Sequence, residues 1–293
     1  MTSLLRLYVG ISLALIAFAA NSVLNRLALA DDLIDPGSFT LWRLSSGAVT
    51  LLFLCWLKSL ANSQEDTFIQ LKKGMTEGNW LSALALFAYA VSFSYAYVSL
   101  STGMGALVLF AMVQLTLITL SIYSGQTLSR LEWLGLALAF AGFVYLLLPN
   151  VTSPSFMGFV LMSLSGVAWG LYTWRGKLSK QALWTTTANF TRTLPILLVV
   201  FLCLLWFGDS HVSRQGIALA VLSGAVMSGL GYALWYAVLP LISASMAAVL
   251  QLLVPIIATF GGIIFSGENM SFHLMSATLV VILGVLLVIL GRK

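Results

Sequence analysis

The chain has 293 residues, of which 60% are hydrophobic and only 8% charged, with a mean hydropathy of +1.02. Soluble domains carry about 25% charged residues, so this composition excludes a water-soluble protein and points to a membrane. The net charge of +5 comes from 14 Lys and Arg scattered over loops without a basic patch, which argues against a nucleic-acid partner.

A membrane-spanning helix needs about 20 mostly apolar residues. Apolar runs between polar breaks predict ten spans: Leu5–Ala30, Ser38–Leu57, Trp80–Leu100, Met104–Tyr123, Leu131–Leu148, Phe156–Trp174, Trp184–Phe207, Gly216–Val238, Ser243–Phe265 and Phe272–Leu290. The runs are continuous and lack period-two alternation, so they read as helices and not barrel strands. Ala17-Phe18-Ala19 has the form of a signal cleavage site, but the apolar run continues to Ala30 and is read as a span. Cys55 and Cys203 lie inside apolar runs, and His211 and His273 lie in or beside loops. Neither pair has disulfide or metal-ligand spacing, so no cofactor is expected.

With the N-terminus inside, the inner positions hold Arg6, Lys58, Lys72, Lys73, Arg130, Arg175, Lys177, Lys180, Arg292 and Lys293, and the outer loops hold only Arg214. This positive-inside bias predicts cytoplasmic termini. The chain also repeats itself. Ser124-Gly125-Gln126-Thr127-Leu128-Ser129 matches Ser266-Gly267-Glu268-Asn269-Met270-Ser271, and Ser12, Ala17, Phe18 and Arg26 match Ser163, Ala168, Trp169 and Lys177. Two halves, 1–149 and 155–293, of five helices each must run through the membrane in opposite senses. The predicted fold is therefore an all-α integral membrane protein with ten transmembrane helices in two inverted five-helix repeats, a plan common among secondary transporters.

The sequence Gly-Tyr-Ala-Leu-Trp-Tyr (231–236), the run Ala-Ala-Val-Leu-Gln-Leu-Leu-Val-Pro (247–255), Gly267-Glu268 and the Ala-Trp-Gly of 168–170 resemble the EamA family of the drug/metabolite transporter superfamily. The first half departs from the pattern, with Val113 where Pro255 would align and Gln126 where Glu268 would. The resemblance covers nearly the whole chain. It implies a carrier of small metabolites in the bacterial inner membrane, often working outward and without an ATP-binding domain.

Polar groups within spans are the best candidates for a substrate path, because they are costly in hydrocarbon and face the bundle interior or a cavity. Arg43 and Arg192 hold corresponding places in helices two and seven, without an acidic residue deep in any span to pair with; Arg43 is the shallower and can snorkel. Asn21 and Asn25 share a face of helix one, and Trp169 and Tyr172 occupy the equivalent helix of the other half. Tyr232, Trp235 and Tyr236 lie on helix eight, and Tyr89, Phe93 and Tyr97 form a stripe on helix three. Such aromatic walls suit an apolar, aromatic or cationic substrate, or serve plain packing. Gln114 and Gln251 are isolated amides in apolar runs. Pro255 is a candidate hinge, and Gly166 and Gly170 favour close helix packing. Glu132 and Glu268, at helix ends, read as capping or solvated groups.

These features predict a secondary transporter of small metabolites, an exporter of amino acids or similar amphiphilic compounds, working by alternating access around a central cavity. The alternatives are import or exchange of an anionic metabolite, and a non-transporting assembly or sensory protein. An enzyme is not expected, since no His, Asp or Glu cluster lies in a span. The expected partners are a small-molecule substrate and the lipid bilayer.

Overall fold

The computed structural model describes residues 2–61, 74–125, 128–147, 155–176, 179, 181–207, 210–238, 241, 250–251, 253–269 and 271–291. The described chain is helical, and the pairing of Ile34 with Val212 is an isolated bridge between two loops. In order the helices are α1 (Thr2–Ala30), α2 (Pro36–Leu60), α3 (Trp80–Tyr97), α4 (Thr102–Tyr123), α5 (Arg130–Leu147), α6 (Phe156–Gly176) and α7 (Ala182–Phe207). Then comes α8, a rod in three parts (Arg214–Val221, Leu222–Leu230 and Gly231–Val238), followed by α9 (Leu253–Ser266) and α10 (Phe272–Gly291). Among the described residues, eight of them are long and apolar enough to cross a membrane, and α9 is described over a shorter apolar stretch.

Local chemistry sets where the helices start. Asp35 caps α2 by accepting from the Ser38 N–H at 2.8 Å, with Pro36 in the first turn where its missing N–H costs nothing. Asn79 caps α3 through the Ser82 N–H at 2.9 Å, and Ser213 caps α8 through the Gly216 N–H at 2.9 Å. At the start of α5, Ser129 and Glu132 form a reciprocal capping box: the Ser129 N–H donates to the Glu132 carboxylate at 2.6 Å, and the Glu132 N–H to the Ser129 hydroxyl at 3.2 Å.

Packing follows small residues. Helix α5 pairs with α10, α2 with α7, and α4 with α9; α3 and α4 both pack on α6, α8 and α9 both pack on α1, and α2 meets α8 as α3 meets α7. At Gly224 a Cβ would lie 2.0 Å from the Arg43 carbonyl oxygen, so only glycine lets α8 press on the α2 backbone. Gly166 and Gly170 sit against Leu109 and Thr116 of α4, the packing role that their spacing suggests. Leu, Val and Phe side chains such as Val49, Phe53, Leu198 and Phe260 remain exposed along the helices, as lipid-facing residues do. The middle part of α8 is a π-helical turn, and such turns concentrate at functional sites.

Candidate functional site

Helices α1, α3, α4, α6 and α8 line a narrow, partly open cavity of about 20 Å³, room for a water molecule, so a larger occupant requires the wall rings to move apart. Its wall is Phe18, Asn21 and Ser22 of α1, Tyr89 and Phe93 of α3, Leu109 and Phe110 of α4, Trp169 of α6 and Tyr232 of α8. The rings form a continuous chain: Tyr89 and Trp169 lie 4.8 Å apart, Trp169 and Tyr232 5.0 Å, and Tyr232 and Phe18 5.9 Å. Rings at these separations hold each other in fixed, tilted poses. Tyr172 stacks behind Trp169 at 5.4 Å, and Trp235 behind Phe18 at 5.6 Å. The Ser165 hydroxyl donates to the Tyr89 carbonyl at 3.0 Å and fixes α3 against α6.

Asn21 is held from the π turn. Its carbonyl oxygen accepts from the Ser223 hydroxyl at 2.7 Å, and its amide donates to the Ser228 hydroxyl at 3.4 Å. The wide turn thus presents both serines to one asparagine. Asn25, one turn further along α1, donates to the Asn21 carbonyl at 2.8 Å and does not line the cavity.

Arg43 is the unusual residue of the site. Its position near the start of α2 suggests snorkelling, but the side chain turns inward and is only 1% exposed. The guanidinium carbon sits 5.2 Å from the centre of the Tyr89 ring and 4.9 Å from that of Phe93. One terminal nitrogen, Nη2, donates to the Tyr89 hydroxyl at 2.8 Å, while Nε and Nη1 are buried without a hydrogen-bond partner. Cation–π contact offsets part of the cost, at roughly 2 kcal/mol in a desolvated setting. Each unmet buried donor costs about 1–3 kcal/mol. The centre of the bundle therefore holds a strained positive charge directly behind two cavity-wall rings.

A different group ties one end of the bundle. The Glu268 carboxylate, beyond α9, accepts from the Thr102 N–H at 2.9 Å on both oxygens and from the Thr102 hydroxyl at 3.0 Å. It thereby caps α4 from another segment, where the N–H groups at a helix start favour negative charge. Arg26 of α1 approaches the same carboxylate at 3.4 Å and donates to the Tyr97 and Val98 carbonyls at 3.1 Å each. A Cβ at Gly262 would lie 2.4 Å from this carboxylate, so the glycine makes room for it. Four segments meet at this clasp, and sequence reading finds only its capping part, because Arg26 and Glu268 are far apart in the chain.

The remaining candidates lie elsewhere. Arg192 is half-buried at the opposite end of the bundle and donates to the Met75 carbonyl at 2.9 Å. Gln114 is buried on α4, one turn past Phe110 and outside the cavity wall. Gln251 is partly buried before α9 and also off the wall, while the Tyr236 side chain lies outside the described residues. Pro255 lies in α9, with helical residues described on both sides of it, and Pro195 sits inside α7 and removes a helical hydrogen bond there. Sequence reading overlooks Pro195 as well as the wall residues Phe18, Ser22, Leu109 and Phe110, which look like ordinary apolar or small helix residues until the packing is known.

The model of the EamA-like transporter family matches the chain twice, over residues 5–148 and 156–290. The chain belongs to the EamA-like transporter family. An uncharacterised protein of Pseudomonas aeruginosa is 42% identical over 280 residues, 96% of this chain and 93% of that one. An uncharacterised transporter of Archaeoglobus fulgidus is 28% identical over 219 residues, 72% of this chain and 77% of that one. A solved crystal structure covers 96% of this chain and 99% of its own with a TM-score of 0.58 at 18% identity, a likeness of fold. This EamA-like protein is thus a multi-pass membrane transporter of small molecules, with its apolar helix surfaces in contact with the bilayer.

Proposed function

We propose that this EamA-like transporter is a secondary, non-ATP carrier that exports amino acids or similar amphiphilic metabolites across the bacterial inner membrane. It works by alternating access between two inverted five-helix repeats, residues 1–149 and 155–293, with ten spans and cytoplasmic termini, and it is no enzyme. The observation that carries the reading is the aromatic cavity, built from α1, α3 and α4 of one half and α6 and α8 of the other. A site at the interface of repeats near mid-membrane is where carriers of this plan hold substrate.

The helix pairings support the repeat. When each helix is exchanged for the one five places along, α3–α6 becomes α8–α1, α4–α6 becomes α9–α1, and α2–α8 becomes α7–α3, all of which are pairs in this bundle. The clasp of Arg26, Thr102 and Glu268 supports a conformer closed at the outer end, since it joins α1 and the α3–α4 corner to the segment after α9. Opening that end requires the clasp to part.

The reading is tested by counterflow of labelled amino acids and related amphiphiles in liposomes holding the purified chain. Trp169→Ala and Tyr232→Ala are expected to lower the rate by about tenfold or more, as loss of wall contacts should. Flux that survives both substitutions unchanged would remove the cavity from the path, and absence of flux for every compound class would remove the carrier reading.

A further inference from the structure

We infer that Arg43 anchors the acidic group of the substrate, and that the substrate is an organic acid: a carboxylate on a flat or branched apolar body. The inference rests on the carrier reading and names the substrate class of the same cavity.

Three observations converge on it. Arg43 is almost wholly buried, yet Nε and Nη1 have no hydrogen-bond partner. A guanidinium with free N–H groups in a dry site suits a carboxylate, which accepts two of them side by side. The charge lies against Tyr89 and Phe93, and those two rings are themselves cavity wall. A turn of either ring opens the guanidinium to a molecule in the cavity, and the Tyr89 hydroxyl, which already accepts from Nη2, can donate its own proton to the same anion. Among the described wall residues none is Asp or Glu, so an ammonium group finds no countercharge. Phe18, Phe110, Leu109 and Trp169 supply an apolar bed for the rest of the molecule. The requirement is thus for an acid end and an apolar end, with an amino group optional.

The test uses the full chain in nanodiscs with four probes: 3-phenylpropionate, its neutral amide, phenethylamine and acetate. Binding is read by the rise in thermal stability and by quenching of tryptophan fluorescence, with each probe at up to about 10 mM. The expected result is binding of 3-phenylpropionate alone, weakened roughly 30-fold or more in Arg43→Gln. Arg43→Lys keeps the charge without the planar fork and should fall between the two. If Arg43→Gln does not fold, the acid–amide contrast in the natural chain and in Arg43→Lys decides. Equal binding of the amide or the amine overturns the inference. So does equal binding of acetate, acid binding indifferent to both substitutions, or no binding of any probe. Acid binding through Arg43 without flux in liposomes would leave this inference standing and remove the carrier reading. Flux of neutral or cationic compounds that is untouched in Arg43→Gln would do the reverse.

Discussion

Arg43 and Arg192 hold corresponding places in the second helix of each half, but they differ in depth and in what surrounds them. Arg192 lies near the 74–79 loop, half-buried, and hands one N–H to the Met75 carbonyl, while its Nη1 is buried without a hydrogen-bond partner. Arg43 lies at the aromatic centre, 1% exposed, with a phenol and two ring faces for company. Arg26 supplies a third case, an in-helix arginine that has both a carboxylate and two backbone carbonyls. The difference teaches that a cation in a membrane helix does not by itself mark a binding site. Arg26, paired with a carboxylate and two carbonyls, holds segments together, whereas Arg43, unmet at two nitrogens and enclosed by the rings of the cavity wall, is held ready for something else.

The largest effect expected from this contrast is the response to removing each charge. Arg43→Gln should abolish organic-acid binding, as argued above, while Arg192→Gln should leave acid affinity within about twofold and act on stability instead. Titrations of both variants with 3-phenylpropionate check this, and equal loss in the two would dissolve the distinction. Next in size is Glu268→Gln. It removes the charge that faces Arg26 and weakens the cap on α4, so the clasped end should open more readily. Thermal stability should fall by an amount set by about 1–3 kcal/mol, and a cysteine placed at Ser22, buried in the cavity wall, should label faster with a membrane-impermeant reagent. Unchanged labelling would mean that the clasp does not hold that end shut. A smaller effect is expected from Tyr89→Phe, which removes the hydrogen bond of Arg43 Nη2 but keeps the ring beneath it. Acid affinity should fall by roughly threefold to tenfold, about the net worth of one ordinary hydrogen bond, and stability by about 1–3 kcal/mol because Nη2 then joins the unmet donors.

Much of the fold is legible in the chain because the period and length of apolar runs report spans directly. The stripe of Tyr89, Phe93 and Tyr97 follows from helical spacing, and the Tyr89–Phe93 and Phe93–Tyr97 ring pairs, at 5.4 and 4.8 Å, realise it. Asn21 and Trp169 are legible as polar or amphipathic residues on the opening helices of the two halves, and both line the cavity. Arg43 is legible as a candidate but not its direction, because the rotation of α2 is set by Gly224 pressing on its backbone from a distant part of the chain. The clasp is illegible for a related reason. Glu268 caps the start of α4, and no local pattern joins Thr102 to a residue 166 positions away. The span count is partly legible: among the described residues eight helices satisfy length and hydropathy, while α9 is described over only 14 residues.

The smallest effect tests the Arg192 side of the comparison. A Cβ placed on Gly78 would lie 2.3 Å from Arg192 Nη1 and 2.6 Å from the Asn189 side-chain oxygen. That oxygen also accepts from the Asn79 N–H at 3.0 Å, so the glycine lets the loop close over α7. Gly78→Ala should push the Arg192 side chain aside, loosen the bond to Met75 and cost about 1 kcal/mol of stability. Because the arginine can swing toward water at this end of the bundle, part of the loss should be recovered, and acid binding at Arg43 should not change. Calorimetry on Gly78→Ala beside the natural chain measures the first quantity, and the acid titration the second. A loss of acid affinity in this variant would tie the loop to the aromatic centre, and Arg192 would then have to be counted with Arg43 and not against it.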